Sequence, residues 1–365
     1  MSILAAIAVL AVLIVVHELG HFIAARAQGI YANRFSIGFG PILWKYQGPE
    51  TEYALRAFPL GGYVGFPDDD PESPIPPHDP NLLKNRPLLD RAIVISAGVI
   101  ANLIFAYFVL VVQAGTVGIQ EFNAQPGVLI PEVKTELSSV AAQAGIKPGD
   151  VVIAVNGQDL GSERPAINSL MEAIQTHPNQ PIELTVQRGG QTLAQPIIVT
   201  PKPGEDGKGR IGVQLSLNGK VQRRRISNPI AALQVGAVEF QRITVLTIQG
   251  FGQLFTNFGQ VANQISGPVR IVDEGARLVR SDVASLFSFA ALISINLAII
   301  NILPLPALDG GHLVFLLLEG LRGKPLPNQV QEGVMQTGLM LLLGLGIFLI
   351  VRDTTQLESI QKLFR

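Results

Sequence analysis

The chain has no cysteine. That excludes disulfides, thiolate metal sites and cysteine nucleophiles, so any metal must be held by histidine and carboxylate. Histidine is scarce as well: His17, His21, His78, His177 and His312 are all there are. Charge is thin, with 15% charged residues and a net of -1, against 48% hydrophobic residues in a chain of 365. That balance is too apolar for an ordinary soluble enzyme, gives no reason to expect nucleic acid, and leaves room for a membrane core plus a separate domain. Nor does any lysine or arginine precede the first apolar run, Ile3 to Val16, in which every residue is Ala, Val, Ile or Leu. A cleaved leader opens on basic residues, so despite the small-x-small Ala25-Arg26-Ala27 the segment 3–26 reads as a retained transmembrane helix.

What that run contains is His17-Glu18-Leu19-Gly20-His21. Residues four apart lie on one helical face, so His17 and His21 can point their imidazoles at one metal ion, and Glu18 beside the first ligand can take a proton from the attacking water. Two core histidines with satisfied hydrogen bonds are the bland alternative. The setting opposes it, because an ionisable group inside an apolar span costs about 2.5 to 3.5 kcal/mol on insertion scales.

The polar segment 27–90 contains Arg34-Phe35-Ser36-Ile37-Gly38-Phe39-Gly40 and Pro59-Leu60-Gly61-Gly62-Tyr63-Val64, which read as a short hairpin or edge strand. Asp68-Asp69-Asp70 and the prolines after it read as a solvated tip. A second span covers 92–117, with small residues around Gly98 for close helix contact and Asn102 facing either a partner helix or the site. The region 126–210 changes to short strands and turns, with Ala144-Gly145-Ile146-Lys147-Pro148-Gly149-Asp150-Val151-Val152-Ile153-Ala154-Val155-Asn156-Gly157 looking like a PDZ domain. Such domains bind extended peptides or C-termini by strand addition. An amphipathic connecting helix is expected over 228–266, lying on the membrane face or against the PDZ domain, and further spans over 283–303 and 334–351. The membrane core is therefore expected in two parts, 1–118 and 281–365. Arg26, Arg34, Lys84, Arg86 and Arg91 flank the first loop, whereas the first basic residue after the second span is Lys134. By the positive-inside bias the first loop faces the cytoplasm and the PDZ domain the outer side.

The third span ends in Asn301-Ile302-Leu303-Pro304-Leu305-Pro306-Ala307-Leu308-Asp309-Gly310-Gly311-His312. Two prolines break the helix so that Asp309 can face inward, where a buried carboxylate needs a partner and a metal is a good one. Taken together, the His-Glu-x-x-His, the Asn-x-x-Pro-x-Pro-x-Leu-Asp-Gly, the intervening PDZ pattern and the Arg34 to Gly40 and Pro59 to Val64 segments resemble the site-2 protease family, in its bacterial regulated-intramembrane-proteolysis branch. The resemblance implies a polytopic α-helical membrane protein of about four spans with an inserted PDZ domain and a membrane-associated β-hairpin. By the same resemblance His17, His21 and Asp309 would bind one zinc ion per chain, with Glu18 as general base and Asn301 holding substrate or the oxyanion. Gly61, Gly62, Tyr63 and Val64 would clamp substrate as an extended strand. Apart from the resemblance, Asn102 and His312 are candidates to stand behind the ligands, with helix packing as the alternative for each and direct ligation a further one for His312. It further implies zinc endopeptidase action on transmembrane segments of single-span proteins, such as anti-sigma factors or signal-peptide remnants. The expected location is the bacterial inner membrane or an internal one, with the lipid bilayer itself as a partner. Two other readings stay open: a membrane zincin for quality control of misfolded proteins, and an inactive PDZ scaffold.

Overall fold

The computed structural model describes residues 2–70, 73–133, 140–204, 206–257, 259 and 267–356. Pro71 and Glu72 of the acidic tip, and the end of the expected 228–266 helix, lie outside these. The chain divides into two compact units, Met1–Ile119 with Arg225–Arg365, and Gln120–Arg224.

The first unit is built on helices. Helix α1 (Ser2–Ala27) leads into two strands, β1 (Arg34–Gln47) and β2 (Glu52–Gly65), followed by helix α2 (Leu88–Thr116). α2 opens four residues earlier than expected, with Pro87 at its N-cap and Asp90 in its first turn, where a negative charge favours the helix dipole. Each strand bends, so two strands make a four-ribbon sheet. Arg34 to Ile37 runs beside Glu52 to Leu55 on one edge (Phe35 opposite Tyr53). On its other edge it runs antiparallel to Gly62 to Gly65 (Phe35 opposite Val64), while Ile42 to Gln47 returns along Glu52 to Arg56 (Tyr46 opposite Tyr53). Gly62 to Gly65 is thus an outer edge with no further strand beside it among the described residues. Phe22, one residue past His21, packs edge-on against Phe35 and Tyr53 and docks the sheet on α1.

The second unit has β3 (Ile119–Ile130), a short helix α3 (Val140–Gln143), β4 (Asp150–Val155), β5 (Gln158–Asp159) and helix α4 (Glu163–Thr176). It continues through β6 (Ile182–Arg188), β7 (Gln191–Thr192), β8 (Ile197–Val199), β9 (Lys202–Pro203), β10 (Gly209–Arg210) and β11 (Ser216–Arg224). Its main sheet runs in the order β11, β3, β4, β6, β7. Alternate residues of these strands, among them Val128, Val152, Leu184 and Val186, close with Leu170 and Ile174 of α4 over one core. Asp150 is buried at its edge, accepting the Lys147 N–H at 2.8 Å and two guanidinium N–H groups of Arg188 at 2.7 and 2.8 Å. The unit is wider than the expected 126–210 because β11 completes the sheet.

The first unit resumes with α5 (Pro229–Thr256), α6 (Pro268–Ser281), α7 (Val283–Ile302), α8 (Asp309–Arg322) and α9 (Asn328–Gln356). α5 lies along α2 and α7, with Ile243 joining Ala106, Leu110, Ala291 and Ile295 in one cluster. α1 meets α7 through Leu13, Phe289 and Ile293. Among the described residues, four helices are long and apolar enough to cross a membrane: Ile3–Ala27, Leu88–Thr116, Ala284–Ile302 and Asn328–Thr355. α6 and α8 were not expected from the sequence.

Candidate metal centre

The site begins with a close helix crossing. A Cβ added at Gly20 of α1 would stand 2.5 Å from the Ala97 carbonyl oxygen and 2.7 Å from Ala101 Cβ of α2. A side chain there would push the helices apart. On the facing side, a Cβ at Gly98 would stand 2.3 Å from His21 Nε2 and 2.7 Å from His17 Cε1. The two imidazoles therefore occupy the space that Gly98 leaves vacant.

One turn before Gly98, the Val94 carbonyl lies 2.8 Å from His21 Nδ1. A carbonyl can only accept, so Nδ1 carries the proton and the Nε2 lone pair of the neutral ring is free. That lone pair points at two others: His17 Nε2 lies 3.2 Å away, and Asp309 Oδ2 lies 3.3 Å from His17 Nε2 and 3.5 Å from His21 Nε2. Asp309 Oδ2 is buried without a hydrogen-bond partner. Two imidazole nitrogens and one carboxylate oxygen crowded together in this way call for a shared proton or a cation between them, and they make a donor set that zinc accepts. Among the described residues, His17, His21 and Asp309 form the one group able to hold a metal ion.

Asp309 reaches this point because α7 closes at Ile302, the two prolines redirect the backbone, and Ala307 takes a left-handed φ of 66° before α8 opens at Asp309. The strained turn is braced by α9, where Met335 Sδ accepts the Ala307 N–H at 3.3 Å.

Glu18 lies against the sheet edge, its carboxylate accepting the Val64 backbone N–H. Asn301 places its amide nitrogen 3.4 Å from His17 Nε2, on the metal side, and Asn102 places its own 3.3 Å from His17 Nδ1, on the far side. A cavity of about 960 Å³ joins these groups. Gly61, Gly62, Tyr63 and Val64 line it, as does His312, which packs edge-on to Phe315 and stands outside the ligand group. Sequence reasoning missed the Val94 carbonyl and the pairing of Arg91 with Glu319, which lines the same cavity and ties α2 to α8. The spacing of positions 94, 98 and 102 along one face of α2 was the available signal for the first.

A model of Peptidase family M50 matches residues 5–345. A protein of Nostoc sp. named as a zinc metalloprotease is 64% identical over 369 residues, covering 100% of both chains. The membrane metalloprotease ARASP, chloroplastic, of Arabidopsis thaliana is 50% identical over 364 residues, 99% of this chain and 80% of its own. The regulator of sigma-E protease RseP of Escherichia coli is 29% identical over 439 residues, 94% of this chain and 96% of its own. Among solved structures, the PDZ domain of an SdrC-like protein from Listeria innocua aligns with 24% of this chain and 92% of its own, at 20% identity and a TM-score of 0.21.

Proposed function

Because the chain belongs to Peptidase family M50, the site-2 protease family, and is an integral-membrane zinc metalloprotease, we propose that His17, His21 and Asp309 hold the zinc and that Glu18 is the general base. The observation that supports this reading is the convergence of two imidazole nitrogens and a carboxylate oxygen, with the Glu18 carboxylate beside them, at a helix apolar enough to span the bilayer. Zinc held there would polarise the scissile carbonyl and lower the pKa of the attacking water. Glu18 takes that water's proton and returns it to the leaving amine. The Val64 N–H aims the carboxylate, and the Asn301 amide donates to the oxyanion.

The substrate is a single-span membrane protein, cut within its transmembrane segment. A transmembrane helix has its carbonyls tied up in internal hydrogen bonds, and unwinding it in a dry site leaves orphan amides that cost several kcal/mol each unless a strand edge pairs with them. The Gly62 to Gly65 edge, of which Gly62, Tyr63 and Val64 line the cavity beside Glu18, supplies that pairing. Anti-sigma factors or signal-peptide remnants, already trimmed by a first protease, are the class intended, and the name of the Escherichia coli relative favours sigma-factor control. The Gln120–Arg224 unit is a PDZ domain that takes peptide ends or acts as a filter, on the outer side of a bacterial inner membrane, with the site towards the cytoplasm.

A Glu18→Gln variant used as a trap in membranes tests the substrate class. Capture of trimmed single-span proteins is expected. Capture of misfolded multi-span or soluble proteins would put quality control in its place.

A further inference from the structure

The two imidazoles are held from behind by α2, but by different groups. His21 Nδ1 faces the Val94 carbonyl, an acceptor, at 2.8 Å. His17 Nδ1 faces the side-chain amide of Asn102, two turns further along the same helix face, at 3.3 Å. Asn102 is fully buried, and its side-chain oxygen has no partner while its nitrogen points at Nδ1. That pairing conflicts with the metal site. A neutral His17 that offers the Nε2 lone pair to zinc carries its proton on Nδ1, and an amide N–H opposite an imidazole N–H is donor against donor. The two ends of an asparagine amide have the same shape, so a half-turn of the side chain removes the conflict. It places the oxygen without a partner on the proton without an acceptor.

Building on the zinc reading above, we infer that Asn102 is a positioning residue for His17, its side-chain oxygen accepting the Nδ1 proton and so fixing the ring with Nε2 towards the metal. The backbone is already anchored for this task. Buried Ser294 of α7 donates its hydroxyl to the Asn102 carbonyl at 2.8 Å, holding this turn of α2 in place. With Val94 for His21 and Asn102 for His17, a single helix sets the tautomer of both rings, and Gly98 between them leaves the rings their space.

The test is zinc affinity of the full detergent-purified chain, measured by competition with chelators of graded strength. Asn102→Leu, which fills the space without an acceptor, is expected to bind zinc about 10–100-fold more weakly. Asn102→Asp, which has acceptors only, is expected to stay near the parent. Cobalt substituted for zinc should show the parent's visible absorption in Asn102→Asp and an altered band in Asn102→Leu, a difference that loss of packing alone would not produce. If Asn102→Leu fails to fold, Asn102→Ala carries the same expectation. Parent-like affinity in Asn102→Leu or Asn102→Ala overturns the inference, and so does an Asn102→Asp as weak as the apolar variants, since the amide would then be acting as a donor. A parent chain that binds no zinc overturns instead the reading of the site on which this rests.

Discussion

At the scale of single residues, three groups are assigned by the proposal to the metal and one to the proton. Glu18→Gln should lower cleavage by about 10²–10⁴-fold, the usual worth of a general base, and leave roughly one zinc per chain. Metal analysis beside a cleavage assay checks both halves, and loss of zinc in that variant would make Glu18 a ligand. Gly98→Ala should lose zinc, because the new methyl would occupy the place of both imidazoles, whereas Gly115→Ala on the same helix, with nothing within 4 Å, should keep it. The metal content of the two variants decides this. The convergence of His17, His21 and Asp309 was legible because residue type and spacing mark a possible ligand set directly. The Val94 carbonyl was not, since a backbone acceptor has no residue signature, and Gly98 read as a helix-contact residue because its contact with the ring atoms exists only in three dimensions.

Among the elements, the sheet edge and α8 show how far a pattern carries. Gly61-Gly62-Tyr63-Val64 suggested a short hairpin or an edge strand; Gly62 to Val64 does lie on the sheet's edge, but β1 and β2 are 14 residues each and fold back on one another around Gly38 and Gly40, both with positive φ. Such a bend is set by tertiary pairing and not by local alternation. α8 went unseen because Asp309-Gly310-Gly311 reads as a turn, whereas in the fold it is a helix start with an acidic first turn. α6 does carry a local sign of its start, Gly267 at the N-cap with Pro268 in the first turn. Val64→Pro deletes the N–H that Glu18 accepts and should slow cleavage with zinc unchanged. Gly or Pro placed near the scissile bond of a model substrate should speed it, because unwinding precedes attack. Rates indifferent to both changes, in a reconstituted assay, would mean that substrate arrives already unfolded.

For the whole molecule, two units with separate cores predict separable properties. Burial opposes the charge on Asp150, but the Arg188 hydrogen bonds and the Lys147 N–H outweigh it and hold the carboxyl below its usual range. A lowered folded pKa gives stability that is complete above the unfolded value, near 3.9, and is lost as the pH falls through the folded one. Arg188→Met should therefore destabilise the Gln120–Arg224 unit at neutral pH by about 1.5–3 kcal/mol, the worth of hydrogen bonds to a charged group, with the gap closing below about pH 4. Denaturant melts across pH check it. Deleting 120–224, a cleaner cut than 126–210 because β11 leaves with its sheet, should keep zinc and chemistry and relax selectivity towards untrimmed substrates. The division into membrane core and β-rich insert was legible from the change of period, and its edges were not, because β11 reads as an isolated polar segment until it pairs. What tests the central claim most directly is the position of the cut, mapped by mass spectrometry on a single-span substrate co-reconstituted in liposomes with the purified chain. Cleavage inside the transmembrane segment by the parent, abolished in a zinc-loaded Glu18→Gln, is predicted; cleavage confined to the flanking soluble segments, or undiminished in that variant, would contradict it.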